Sequence, residues 1–235
     1  MCGAVEEWPG ADRRNPSRGN SAYLILRGIV ESLEAARDRY VRPGARVLDV
    51  GGGISPYYPL FASVAGDFAR NDIEAREGIR YVSPVEALEI PDESFDLVLC
   101  TQVLEHVRHP LRALEEMGRV LAPGGHLFLT THGVYPFHPD PQDYWRWTQQ
   151  GFEAIFEDTP ALELIELVPH GGAGSTMAVL TCSSLREAGK AFHAAWLTRP
   201  LIALVNTLGE GVDRILPARA KNALVPNFLA VARKR

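Results

Sequence analysis

Hydrophobic positions recur along the chain with two different periods. Between Ser21 and Tyr40, Leu24, Leu26, Ile29, Val30 and Leu33 follow helical spacing, which predicts an amphipathic helix. Arg42-Pro43-Gly44 stops it. Short apolar runs follow at Arg46–Val50, Phe68–Asn71, Ile79–Val82, Phe95–Cys100 and His126–Thr131, and these read as strands. A short helix near Tyr57–Ala62 and a longer one over Pro110–Leu121 lie between them, the second closed by Pro123-Gly124-Gly125. Strands alternating with helices predict an α/β fold, a doubly wound and mostly parallel sheet with helices on both faces.

The second half departs from this rhythm. Thr148 is placed to cap a helix running to Phe156, and Leu162–Val168 alternates apolar and acidic residues as a strand does. Residues 173–216 are helical in pattern, with breaks expected at Gly189 and Pro200, and Asn227–Val231 reads as a final strand. A stretch that long is an insertion with its own role rather than a loop. It is expected to cap the sheet, and a homodimer surface is the next reading. A polar face rich in Lys and Arg, which would suit a membrane surface, is missing. The division expected is an N-terminal arm and helix over 1–44, then one domain over 45–235 that includes the 173–216 insertion.

Composition narrows the class. With 24 Lys+Arg against 29 Asp+Glu, a net charge of -5 and 46% hydrophobic residues, the chain is a globular domain and not a disordered one. The mild acidity excludes nucleic acid as the main partner. Cys2, Cys100 and Cys182 are odd in number and far apart, so neither a disulfide framework nor a zinc spacing is visible. Cys100 sits in an apolar run and reads as a buried thiol. The N-terminal residues hold no apolar signal core, and no apolar stretch reaches 18 residues, so a cytoplasmic location is expected.

The most informative segment is Val47-Leu48-Asp49-Val50-Gly51-Gly52-Gly53-Ile54-Ser55. Glycines after a first strand let the backbone approach a ligand closely. Pro56 fits the dinucleotide fingerprint poorly, and Asp49 suits an amine or cation better than a pyrophosphate. Three further features follow in order. These are Asp72 near the end of the second strand, Pro91–Val98 leading into Gln102-Val103-Leu104-Glu105-His106-Val107, and Leu114–Gly125 before the fifth strand.

Together these four features resemble the class I S-adenosylmethionine-dependent methyltransferases of the small-molecule type, over roughly residues 45–157. The resemblance implies a Rossmann-like, seven-stranded sheet. It implies that Gly51, Gly52 and Gly53 pass under the methionine part of S-adenosyl-L-methionine, with Asp49 near its amine. Asp72 would accept from the ribose hydroxyls, with Asp67 as the fallback. The family's acidic adenine contact is replaced by Pro84, which leaves adenine to the backbone at Val85 or to Glu86. Thr101 and Gln102 complete the expected cofactor contacts, and S-adenosyl-L-homocysteine is the expected product. The arm, with Arg13, Arg14 and Arg18, either folds over the cofactor or stays disordered.

The acceptor belongs beyond the fourth and fifth strands, at their carboxyl ends. Of the seven His, His106, His109, His126, His132 and His138 cluster there in sequence. His126 opens the fifth strand and reads as structural. His106, His132 and His138 are the candidate bases for a hydroxyl acceptor, hence for O-methylation. The segment 135–147 is aromatic, and Tyr135, Tyr144, Trp145 and Arg146 are its candidate substrate contacts. Its H-P-x-P-x-D-Y-W-R-W-T pattern resembles segments of bacterial methyltransferases of glycan or natural-product pathways. A metal held by His132, His138, Asp140 and Asp143 is conceivable, but the acids read as turn formers and no metal is assigned. Two rivals remain, a nicotinamide-dependent oxidoreductase and a non-catalytic cofactor-binding or assembly protein of the same fold.

Overall fold

The central apolar runs between residues 45 and 132 become strands covered on both faces, while the edge run at Tyr81–Val82 leaves Val82 exposed. The computed structural model describes residues 8–139 and 141–235; Cys2 and Asp140 lie outside them. The strands are β1 (Ala45–Val50), β2 (Ala65–Asp72), β3 (Tyr81–Val82), β4 (Phe95–Thr101), β5 (Leu121–His132), β6 (Leu162–Pro169) and β7 (Asn227–Lys234). They form one seven-stranded sheet in the order β3-β2-β1-β4-β5-β7-β6. The pairs from β3 through β5 are parallel, and β7 runs antiparallel to both β5 and β6.

Successive strand residues point to opposite faces, so one run supplies two cores. Val47, Leu97, Leu99, Phe128 and Val231 pack with Ile29 and Leu33 of α2 (Tyr23–Tyr40) and Val179 of α6 (Ala173–Ala191). Leu48, Val98, Cys100 and Leu129 pack on the other face with Leu114 and Met117 of α4 (Pro110–Val120) and Phe152 of α5 (Gln149–Glu157). Cys100 and Cys182 are free and buried. Two four-residue helices are α1 (Ala11–Arg14), ahead of α2, and α3 (Tyr58–Phe61), which follows β1. Thr148 caps α5 by accepting from Gly151 N at 3.0 Å.

Several boundaries differ from the sequence reading. β5 begins at Leu121, where Leu121 pairs with Phe95. The register then shifts before Leu97 meets His126, so Pro123-Gly124-Gly125 interrupts the ladder without ending it. The helical insertion breaks at Phe192–Ala194, where His193 takes φ +52°, between α6 and α7 (Ala195–Ile215). Gly189 instead lies buried where the helices cross, since a Cβ there would meet Thr198 Oγ1 at 2.5 Å. Pro200 stays inside α7 near its start, on the solvent side where water can serve the freed carbonyl. A last short helix, α8 (Ala218–Lys221), leads back to β7.

The N-terminus of α6 is closed from a distance. Asp213 of α7 accepts from Gly172 N, Gly174 N and Ser175 N at 2.8–3.0 Å, which answers three of the donors a helix start leaves open. No helix among the described residues is long and apolar enough to cross a membrane.

Candidate cofactor and acceptor site

The strand order reverses between β1 and β4, and the carboxyl ends of the parallel strands open there into a cleft of about 640 Å³. Gly51, Asn71, Asp72, Val85, Glu86, Gln102, His106 and His138 all line it. The loop after β1 needs glycine twice over. Gly51 has φ +60°, and a Cβ on it would stand 2.7 Å from Val103 Cγ2. Gly53 has φ +52° and donates its N–H to Asp72 Oδ2 at 3.1 Å. This bond fixes the Asp72 carboxylate at the rim, while its Oδ1 accepts from Glu74 N at 3.3 Å.

Asp49 lies under the loop, 2% exposed, with Oδ2 so close to Gly52 that a Cβ there would meet it at 2.6 Å. Its Oδ1 has no hydrogen-bond partner among the described residues. Burial raises the carboxyl to about 7, with Ser55 and Arg70 pulling it back. A buried acid in this state takes a cation readily. The orphaned oxygen and the backbone cradle therefore fit the amine and chain of an amino-acid-bearing nucleoside.

Beyond β3 the cleft is walled by Pro84, Val85 and Glu86. Glu86 Oε1 accepts from His109 N at 3.0 Å, at the start of α4. Gln102 has φ +57° and sends Nε2 to Thr130 Oγ1 and Asn227 Oδ1, both at 3.0 Å, so its amide ties β4 to β5 and β7. Thr101 closes β4 beside Thr130 and is absent from the cleft lining.

The three histidines come together, in two layers. His106 and His138 face the cleft with ring centres 5.0 Å apart. His106 Nδ1–H donates to Gln142 O, which leaves Nε2 as the acceptor. His132 stands behind them, 5% exposed, stacked on Tyr135 at 3.9 Å and edge-on to His138. Burial lowers it to about 3, helped by Arg146, His138 and His106, so it is a neutral imidazole.

Glu105 joins these parts, and the sequence reading passed over it. It is fully buried, accepts from Thr131 Oγ1 at 2.9 Å, and brings Oε1 within 3.5 Å of His132 Nε2. Its backbone oxygen accepts from Tyr144 N and Trp145 N. Burial raises its carboxyl above the usual range. The available signal was an acid set among apolar neighbours in Val103-Leu104-Glu105.

The aromatic loop is held by its own side chains. Arg146 forks onto both oxygens of Asp143 and donates to Tyr135 O and Pro136 O. Trp145 Nε1 donates to Val107 O at 2.8 Å, and Tyr144 hydroxyl donates to Gln142 Oε1. Tyr135, Tyr144, Trp145 and Arg146 do not line the cleft, whose wall on this side is His138, Pro141 and Gln142. Ligand atoms of His106, His138 and Asp143 lie within 4.8 Å of one another. A cation there would compete with the Arg146 guanidinium for Asp143.

Residues 30–129 match the family model described as a methyltransferase domain. A ubiquinone/menaquinone biosynthesis C-methyltransferase of Ectopseudomonas mendocina is 35% identical over a match covering 38% of this chain and 42% of that one. A ubiquinone biosynthesis O-methyltransferase of Xanthomonas campestris is 36% identical, covering 42% and 48%. The chain thus spans less than half the length of these curated relatives. Among solved structures, a putative methyltransferase of Bacillus halodurans shares the fold at TM-score 0.56 and 17% identity, covering 87% of this chain and 99% of that one. The cyclase SpnF shares it at TM-score 0.57 and 18% identity, covering 87% and 80%.

Proposed function

Because the chain belongs to the class I S-adenosylmethionine-dependent methyltransferases, we propose that it methylates a hydroxyl of a small molecule, with His106 as the general base. The observation that carries this is the His106 tautomer, set by Gln142 O in the same cleft as Gly51 and Asp72. Gly51–Gly53, Asp49 and Asp72 would hold the amino-acid chain and ribose, and Val85 and Glu86 would flank the adenine. When bound, S-adenosylmethionine supplies a methyl group already activated by a sulfonium. The protein's task is then alignment, exclusion of water and removal of one proton. His106 Nε2 accepts the acceptor hydroxyl's proton as the oxygen gains its methyl group. His138 shares the wall with it, and neutral His132, backed by Glu105, keeps the floor of that wall free of added charge.

The imidazole rings of His106 and His138 on the cleft wall favour an acceptor with a ring or sugar face, in natural-product or glycan metabolism. The C-methyltransferase likeness supports a second reading, methylation of a ring carbon, for which the same base would ionise a phenol. The family match favours methyl transfer over hydride transfer by a nicotinamide enzyme. The cyclase's shared fold keeps a role without methyl transfer testable. The partner proposed is a small molecule and not a nucleic acid, with a homodimer through the outer face of α7.

The test is a panel of phenols, hydroquinones and sugars with S-adenosylmethionine, read by product mass and by NMR for the methylated atom. His106→Gln is expected to lower kcat about 10²–10⁴-fold with little change in S-adenosylhomocysteine affinity. An unchanged kcat would remove His106 as base. Carbon-bound methyl in every product would replace O-methylation by the second reading.

A further inference from the structure

The hairpin of α6 and α7 reaches past its own crossing point. Gly189 and Thr198 mark the crossing, since a Cβ on Gly189 would stand 2.5 Å from Thr198 Oγ1. Beyond them the chain reverses in a tight closure. Ala194 N–H donates to Gly189 O at 2.8 Å and His193 N–H to Lys190 O at 3.2 Å. His193 takes φ +52°, in the position that glycine usually fills at a helix end. The turn is therefore a fixed piece of backbone. Its base is held too, because Asn206 Nδ2 donates to Arg18 O and Asn20 O ahead of α2.

Two large rings stand on this turn largely uncovered. Phe192 is 80% exposed and Trp196 77%, with Leu197 beside them at 52%. They add little to the core, so a closely built frame holds three apolar side chains out into water. The charges around them have one sign in excess. Arg186, Lys190 and Arg199 flank the turn against Glu187 alone, in a chain whose net charge is -5. Glu187 pairs with Arg186 at 2.9 Å and with Lys190 at 3.2 Å, while Arg199 forms no ion pair among the described residues. These bases are spread around the turn and not along the polar face of one helix, so the helical pattern of the sequence shows no basic face.

The shape and charge of the tip select its partner. A protein partner must match a protruding ring with a pocket, whereas the headgroup region of a bilayer takes a ring of any outline. Trp and Phe rings settle at that level, and Lys and Arg beside them meet lipid phosphates. We propose that the α6–α7 turn docks this protein on a bilayer containing anionic lipid, with Phe192 and Trp196 entering the headgroup region and Lys190 and Arg199 meeting phosphates. The attachment is peripheral, as no helix among the described residues is long and apolar enough to cross a membrane. Trp196 lies roughly a quarter turn around α7 from Leu204, so docking by the tip leaves that side of α7 clear.

The test is co-sedimentation of the full chain, without cofactor or acceptor, with vesicles of phosphatidylcholine alone and of equal parts phosphatidylcholine and phosphatidylglycerol. Wild-type protein is expected to bind the anionic vesicles, to bind the neutral ones weakly, and to be released as salt is raised. Phe192→Ser with Trp196→Ser should weaken binding about 10-fold or more, with Tm unchanged because neither ring is packed. Lys190→Gln with Arg199→Gln should weaken binding to anionic vesicles about 5–30-fold and leave neutral vesicles as they are. Bromine-labelled acyl chains should quench Trp fluorescence in the wild type. Trp196→Phe should remove that quenching, since Trp8 lies on the glycine loop and Trp145 and Trp147 on the acceptor loop. Wild-type protein that sediments with neither vesicle, ring substitutions without effect, or quenching that survives Trp196→Phe would each overturn the proposal. So would vesicle-free self-association through these rings with no lipid binding, seen by light scattering as a mass that falls in the Phe192→Ser, Trp196→Ser variant.

Discussion

Asp49 carries a cost in the ligand-free protein that the ligand would relieve. Its folded carboxyl lies near 7 and an unfolded one near 4, so the folded state binds the proton more tightly. The stability associated with that proton is fully present below about pH 4 and is lost as pH rises through about 7. Asp49→Asn should therefore stabilise the ligand-free protein at pH 8, on the order of 4 kcal/mol, and by only about 1.5 kcal/mol at pH 5. Denaturant titrations at the two pH values check this. The ligand's ammonium needs the carboxylate, so S-adenosylhomocysteine affinity should rise up to about tenfold per pH unit toward 7 and flatten above it. Asp49→Asn should abolish that slope, and a slope that survives would place the responsible group elsewhere.

Glu105 is a buried acid answered on one side: Oε2 accepts from Thr131 Oγ1, while Oε1, 3.5 Å from His132 Nε2, has no hydrogen-bond partner among the described residues. Its side chain meets Thr131 and His132, and its carbonyl holds Tyr144 and Trp145. Glu105→Ala should cost roughly 2–4 kcal/mol, through a cavity and unpaired groups on Thr131 and His132. Glu105→Gln keeps the volume and an acceptor oxygen and should cost clearly less. Chemical denaturation distinguishes the two, and equal costs would mean that packing alone matters.

Among the elements, α7 has the least settled surroundings. Its inner side buries Ile202, Asn206 and Gly209 against α6 and the arm, with Asn206 Nδ2 donating to Arg18 O and Asn20 O. Its outer side exposes Leu197, Leu201, Leu204, Leu208 and Ile215. These positions are spaced four, three, four and seven apart, which makes one stripe along the helix and the kind of seam helices pair through. Leu204→Glu with Leu208→Glu should convert a dimer to a monomer without lowering the melting temperature of the subunit. Light scattering over a concentration series is the check, and a wild-type protein monomeric at about 100 μM would end the dimer proposal. The pair α6 and α7 shows how a break can be misread. Gly189 and Pro200 are helix breakers by local rule, but a buried crossing needs the first and solvent tolerates the second.

The whole molecule is organised around the reversal of strand order between β1 and β4, with the arm, the glycine loop and the acceptor loop all converging on one end of the sheet. Binding there should tie the arm and the sheet together. S-adenosylhomocysteine at about 100 times its dissociation constant should add about 2.7 kcal/mol, a rise in Tm of roughly 5–10 °C. Differential scanning fluorimetry reads this directly, and an unchanged Tm at millimolar ligand would count against the cofactor site.

Much of this architecture is legible in the chain itself. The strands, the glycine loop, Asp49 beneath it and Asp72 at the end of β2 are products of local periodicity and short spacing, because a buried parallel strand and a tight turn constrain consecutive residues. The histidines, too, stand out as a group in sequence. What the chain does not reveal is their layering, with His106 facing the cleft beside Gln142 and His132 sealed against Glu105 and Tyr135. Those relations join residues tens of positions apart, and they depend on burial, which belongs to the packed molecule and to no local segment. Periodicity determined the frame, and tertiary packing decided which polar groups inside it are left without partners and so available to a ligand.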